Sequence, residues 1–368
     1  MITRKIALIT TTINVPKLLS EYCAQARAVG LTDFTVIVIG DRKTPPEAAT
    51  FCAELATLTN YTVEYFDCDR QMEYLAAVPR LRDHLTWNSI QRRNIGILRA
   101  YELGAEIVIT IDDDNFIAED NYFSHYAQLG EQIELEQVSS ESGWFNVCST
   151  LAARQNSYFY HRGYSPAHRT TADIPTTWSK ATTTPVVIAG FWLDDPDIDA
   201  VQRLTSPIEV TAYNRAENFA LASGTWSPFN SQNTALHRSI IPAYFLSPYM
   251  GRYDDIWASY LIRAITDHLG HSISFGHPMV RQVRNPHNYF KDFEAERLGM
   301  QMTDRVCDRL RKIAFTGTDY TTCMREIITA MDAWIAEEGV WTEVELECLK
   351  KWREGCDIWA ESIAHFTR

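Results

Sequence analysis

Three consecutive aspartates, Asp112, Asp113 and Asp114, close the apolar run "EIVITI". Carboxylates crowded at the end of an apolar strand are suited to holding a hard divalent cation. Mg2+ and Mn2+ take oxygen ligands, keep part of their water and are shared with substrate phosphates. The segment just upstream, "NSIQRRNIGILRAYELGA", reads as a helix and carries Arg92, Arg93 and Asn94. Cationic donors beside clustered carboxylates point to a metal–diphosphate site, where the ion works as a Lewis acid on a leaving diphosphate. An acidic turn that merely ends the strand in water is the plainer alternative. A second carboxylate pair, Asp254 and Asp255, opens the helical segment "DDIWASYLIRAITDHLG". Helix capping accounts for one of them. The other is left for general-base work or for gripping hydroxyl groups.

These residues need elements to position them. "KIALITTTI", "FTVIVIG", "YTVEYFDC" and "EIVITI" read as strands, alternating with amphipathic segments such as "VPKLLSEYCAQARAVG". The alternation predicts an α/β fold with a mostly parallel sheet flanked by helices. Such sheets bind ligands at the carboxyl ends of their strands, which puts the aspartates at a crevice rim. From about residue 131 to 230 the chain is rich in Thr, Ser, Trp, Tyr and Pro and reads as a loop-heavy half with short β pieces. Beyond about Gly299 it turns helical. There Leu346, Leu349, Trp352, Cys356, Trp359 and Ile363 form one apolar stripe, a packing face for the domain or for a subunit partner.

Composition narrows the partners. The 368 residues carry a formal net charge of -13, which repels nucleic acid and anionic membrane surfaces. No nucleic-acid polymer is therefore expected as a partner. The longest apolar run, "PVVIAGFWL", is far below spanning length, so no membrane insertion is expected either. Eight scattered cysteines without a C-x-x-C pair argue against a zinc ribbon or a disulfide framework. They fit a reducing, cytoplasmic setting.

"RNIGILRAYELGAEIVITIDDDNF" resembles the nucleotide-sugar domain of GT-A-type (Rossmann-like) glycosyltransferases. "YHRGYSP", "GFWLDDPDIDA", "SPFNSQNTALHRSIIPAYF" and "GRYDDIWASYLIRAITDHLG" narrow the resemblance to the reversibly glycosylated polypeptide family, which includes plant UDP-arabinopyranose mutases. It runs in order from about Thr35 to Asn288 and is densest from Ala105 to Gly270. It implies a GT-A-like nucleotide-sugar domain over 1–299, with a nucleotide and metal half (1–130) and a sugar and acceptor half (131–299). Residues 300–368 would be a helical C-terminal extension.

At matching positions the resemblance implies roles. Asp112, Asp113 and Asp114 would hold Mn2+ or Mg2+ and the diphosphate. Asp41, Arg93 and Asn94 would serve the nucleotide. Arg162 matches the arginine that is reversibly glycosylated in the plant proteins, and an arginine also clamps a diphosphate bidentately. Trp192, Asp197 and Asn233 would line the sugar pocket, and Asp254 and Asp255 would be catalytic. The family's histidine before an "NP" pair falls on Val280, leaving His277 or His287 to complete the metal site. His237 and the short "NSQN" stretch depart from the family where substrate identity should be read.

The expected activity is a UDP-sugar enzyme that cleaves the anomeric C–O bond against a metal-bound diphosphate. A pyranose/furanose mutase ranks ahead of a glycosyltransferase with a separate small-molecule or glycan acceptor. A non-catalytic subunit of a glycosylation complex is the third reading. A homo-oligomer stays open.

Overall fold

The computed structural model describes residues 2–155, 157–169, 174–284 and 287–367. Asn285 and Pro286, the "NP" pair, lie outside them. The first third alternates as expected: β1 (Ile6–Thr11), α1 (Leu19–Ala28), β2 (Phe34–Ile39), α2 (Glu47–Thr59) and β3 (Thr62–Phe66). Two short helices follow, α3 (Cys68–Tyr74) and α4 (Pro79–His84), then α5 (Arg93–Glu102) and β4 (Ile107–Asp112). All four strands pair in parallel in the order β3-β2-β1-β4, half of a Rossmann-like sheet. Helices cover both faces, so Ile6–Ile9, Val36–Ile39 and Ile107–Ile111 are buried without interruption. That is why these runs read as unbroken apolar stretches rather than as alternating ones.

The remaining strands are β5 (Asn115–Ile117), β6 (Ile133–Ser140), β7 (Leu151–Ala153), β8 (Thr176–Thr183) and β9 (Pro185–Asp194). After α6 (Ala200–Thr205) come β10 (Val210–Tyr213), β11 (Phe219–Leu221), β12 (Asn233–His237), α7 (Asp254–Leu269) and β13 (Ser272–Gln282). All join the same sheet: β12 runs antiparallel to β4 and β9, and β9 runs parallel to β13. The middle is thus more regular than its composition suggests. β9 is the "PVVIAGFWL" run, buried from Pro185 to Trp192 as an interior strand between β12 and β13. The Thr-rich β8 pairs with β6 along eight residues at the sheet edge, where β-branched polar side chains suit a half-exposed pleat.

Helices α8 (Tyr289–Leu310), α9 (Tyr320–Ala336) and α10 (Glu343–Phe366) complete the chain. The apolar stripe of α10 packs on the chain's own fold. The rings of Trp352 and Trp257 lie 4.6 Å apart, those of Trp359 and Phe245 5.5 Å, and Trp359 Nε1 donates to the Ile241 carbonyl at 2.9 Å. Gly355 allows this approach: a Cβ there would meet the Phe245 ring at 2.8 Å. Among the described residues no helix is long and apolar enough to cross a membrane, and all eight cysteines are free thiols.

Candidate active site

Two neighbouring cavities open at the carboxyl end of the parallel strands. β1 and β4 finish in register, Thr11 opposite Asp112. The smaller cavity, about 170 Å³, is lined by Thr12, Asp41, Asn88, Ser89, Arg92 and Asp113, among others. The larger, about 500 Å³, takes Asp112 and Asp114 together with Arg162, Asp197, Asp254 and Asp255. Asn88, Ser89 and Ile90 border both. Successive side chains at a strand end point to opposite sides, which divides the three aspartates between the cavities. Asp113 is fixed in the smaller one by the Thr12 hydroxyl (2.7 Å) and the Asn14 amide (3.2 Å).

Arg93 does not reach either cavity. Its guanidinium is fully buried, 2.5 Å from Asp112 Oδ1, and donates to the carbonyl and hydroxyl of Ser231 at 2.6 and 2.7 Å. The expected nucleotide contact is therefore a support, which ties the strand end to the 231 loop. Asn94 is also buried, bridging Leu246 and the Gln91 carbonyl. Asn233 accepts from the Tyr122 hydroxyl at 2.7 Å and donates to the Pro278 carbonyl at 2.9 Å. Trp192 sits inside β9 and packs near His161. These three side chains brace the sheet and line neither cavity, because each lies within the packed core.

Arg162 sits in a carboxylate cage. Nε and Nη2 donate to Asp197 at 2.8 and 2.9 Å, and Nη1 and Nη2 to Asp255 at 3.1 and 3.2 Å. The last N–H goes to the Arg252 carbonyl. All five guanidinium donors are thus engaged. Burial opposes the charge, but Asp197 and Asp255 together hold the Arg162 pKa well above its ordinary value. Burial likewise opposes ionisation of Asp197, yet Arg162 keeps it far below the usual carboxylate range. A covalent sugar adduct on Arg162 would have to break this cage and strip a proton from a strongly basic group. The local sequence explains the "RGY" geometry: Gly163 has φ +81°, and a Cβ there would overlap Ile256 of α7.

The two aspartates of α7 are distinguishable. Both lie in the first turn, no side chain caps the helix start, and both line the large cavity. Asp255 is engaged by Arg162 and by the Ser231 backbone N–H at 3.0 Å. Among the described residues Asp254 has no ion-pair partner of its own, and it accepts from Gln91 Nε2 at 2.8 Å. Burial, then the neighbouring charge of Asp255, push its pKa up to about 7. It is a carboxyl poised to take or give a proton near neutrality.

His287 lines the large cavity, and its Nδ1 pairs with Asp292 at 2.9 Å, which leaves Nε2 as the ring nitrogen outside that pair. His277 lies elsewhere, its Nδ1 2.8 Å from Glu119. The three aspartates do not converge: among the described residues the one three-residue group with ligand atoms within 4.8 Å is Glu119, His125 and His277. Asp112, Asp114 and His287 line the same cavity, but their ligand atoms are not gathered within 4.8 Å of one another either, so a Mg2+ or Mn2+ ion there would rest on one or two of the carboxylates. Such ions use one or two carboxylates and fill the remaining positions with water and phosphate.

Sequence reasoning missed Gln91, Arg252 and Arg284, all on the large cavity. Gln91 sits two residues before Arg93 in "QRRN", and Arg284 lies beside the "NP" pair. In the smaller cavity Arg92 stacks 3.5 Å over the Trp87 ring. A cationic side chain on an indole was a readable signal only if Trp87 was known to be near.

A parallel Rossmann-like half joined to a mixed half, with aspartates at the joint facing two cavities, defines a GT-A-like α/β protein. The chain belongs to the reversibly glycosylated polypeptide family, whose sequence profile matches residues 9–361. It is 28% identical over 183 residues to UDP-arabinopyranose mutase 3 of Arabidopsis thaliana, covering 47% of this chain and 46% of that protein. It is 31% identical over 179 residues to probable UDP-arabinopyranose mutase 1 of Pisum sativum, with the same shares. The chain spans about half the length of the curated relatives it matches. Glucosyl-3-phosphoglycerate synthase from Mycobacterium tuberculosis, solved with Mn2+ and uridine-diphosphate-glucose, aligns over 83% of this chain and 80% of that one. The TM-score is 0.41 and the identity 12%.

Proposed function

We propose that the protein is a UDP-sugar enzyme that breaks the anomeric C–O bond, acting as a pyranose/furanose mutase of the UDP-arabinopyranose mutase kind. The observation that carries this reading is Asp254, a buried carboxyl with a pKa of about 7, facing the same cavity as Asp112 and Asp114. The nucleoside would enter the smaller cavity beside Asp41 and Asp113, and the sugar diphosphate would cross the strand end into the larger. A divalent ion held by Asp112 or Asp114, in the cavity that His287 also lines, would supply charge neutralisation for the departing diphosphate.

Ring contraction leaves the sugar's formula unchanged. The bond from the anomeric carbon to the diphosphate breaks and re-forms, and that carbon exchanges one ring oxygen for another. The newly bonded hydroxyl loses a proton and the released ring oxygen gains one. Asp254 can take the first and return it to the second because its pKa lies near neutrality. Arg162 does not react in this scheme: it holds Asp197 and Asp255 against the sugar while satisfying their charge. The relatives' names support the mutase reading. The free thiols support a reducing, cytoplasmic setting.

A transferase with a separate acceptor is the second reading. It is favoured by a cavity of about 500 Å³ whose wall includes Ser231 and Gln232, within the stretch that departs from the family. Pure protein incubated with UDP-arabinopyranose, UDP-galactose or UDP-glucose and Mn2+, followed by chromatography, tests both. A new isomer of equal mass, absent with Asp254→Asn, supports the mutase. UDP release that depends on an added acceptor supports the transferase. If the protein neither binds UDP nor converts any of these sugars, both readings fall.

A further inference from the structure

We propose that Glu119, His125 and His277 form a second metal site, separate from the aspartates and suited to a nitrogen-preferring ion such as Zn2+. The three come from different elements: Glu119 from the segment after β5, His125 from the 3-10 turn Tyr122–Tyr126, and His277 from β13. None of them lines either cavity. One ligand atom from each lies within 4.8 Å of the others. Glu119 presents one oxygen 2.8 Å from His277 Nδ1 and the other 3.6 Å from His125 Nε2. Ligands of a tetrahedral zinc ion stand roughly 3.4 Å apart, given metal–ligand bonds of about 2.1 Å. Small side-chain rotations would therefore close the set.

The surroundings hold the ligands for this. The Met279 backbone N–H donates to Glu119 Oε1 at 2.7 Å. Asn218 fixes the His277 backbone from both sides, accepting from its N–H at 2.6 Å and donating to its carbonyl at 2.9 Å. Tyr122, Phe123 and Tyr126 anchor the turn that carries His125, all fully buried. The three side chains are 21 to 32% exposed, so an ion and a completing water can reach them from solvent. Two imidazoles and one carboxylate favour Zn2+, Co2+ or Ni2+ over Mg2+. The ion would clip β13 to the segment after β5, just beyond the aspartates.

The test strips the full-length protein with EDTA and measures Zn2+ by equilibrium dialysis and Co2+ by its visible d–d absorption. The measurement does not depend on turnover, so it stands whether or not the mutase reading survives. One equivalent of Zn2+ is expected to bind the wild type and the Asp114→Ala/His287→Ala double variant alike. Tetrahedral Co2+ absorption should accompany it. His125→Ala should weaken Zn2+ binding at least tenfold and abolish the Co2+ bands. His125→Gln serves as the folding control, because it keeps the bulk of a half-buried side chain: its metal-free melting temperature should match the wild type's. The proposal is overturned if Zn2+ binding is unchanged in both His125 variants. It is equally overturned if the wild type binds no equivalent beyond the one lost in the double variant.

Discussion

Gln91 Nε2 donates to Asp254 Oδ2 at 2.8 Å, joining residues 163 positions apart in the chain. This contact separates Asp254 from Asp255, which faces Arg162 instead. The bond favours the ionised form of Asp254, and burial outweighs it. Replacing Gln91 with leucine should therefore raise the Asp254 pKa further, by on the order of one unit. The limb of the kcat/KM–pH profile that reports Asp254 should move from near pH 7 to higher pH. An unmoved limb would show that another group titrates there.

Asp254 also has a thermodynamic signature. Its folded pKa, about 7, lies above the unfolded value of about 3.9. Below about pH 4 the group is neutral in both states and contributes no penalty. The penalty grows as pH rises from 4 to 7 and is constant above that. Asp254→Asn should thus be more stable than wild type at pH 8, by roughly a few kcal/mol, and equal to it at pH 4. Urea unfolding at the two pH values checks the sign.

Arg162→Ala would leave Asp197 and Asp255 buried without their cation. Breaking one side of a buried ion pair costs about 3–5 kcal/mol. Arg162→Lys should recover only part of that, since an ammonium cannot make the two bidentate contacts. Denaturant midpoints for the two variants measure it. If lysine restores full stability, the bidentate geometry is not what holds the cage together.

The histidines should separate by function. His287→Ala is expected to weaken Mn2+-dependent UDP binding by about 10–100-fold, while His277→Ala leaves it unchanged. Isothermal titration with UDP, with and without Mn2+, distinguishes them. The reverse pattern would place the cavity's metal ligand on β13.

Packing of α10 gives a prediction independent of chemistry. Trp359→Ala should cost about 3–5 kcal/mol, because the indole fills a buried face against Phe245 and Ile241. Gly355→Ala should also destabilise, since a methyl group would press on the Phe245 ring and on His84. Thermal melts of both variants show whether α10 belongs to the cooperative fold.

Much of this was legible from residue order. Unbroken Val/Ile runs ending in polar residues identified β1, β2 and β4 and put the three aspartates at a strand end, because side-chain periodicity and burial are local properties. The α7 helix and the α10 stripe were readable for the same reason. The strength of β9 was not, since an apolar run alone does not reveal that strands flank it on both sides. Nor could the stripe's partner be read: whether Trp352 meets a subunit or Trp257 depends on how the chain returns to itself.

Within the candidate site the same division holds. The sequence by itself determined which residue types stand together: a run of aspartates, an aspartate pair at a helix start, an arginine before a glycine. Only the tertiary structure decided what each faces. It split Asp113 from Asp112 and Asp114, turned Arg93 inward as a support, and enclosed Arg162 between Asp197 and Asp255, 35 and 93 residues away. Among the described residues it also gave Asp254 no ion-pair partner of its own. Protonation and charge are set by neighbours within a few ångströms, and in this fold those neighbours come from distant parts of the chain.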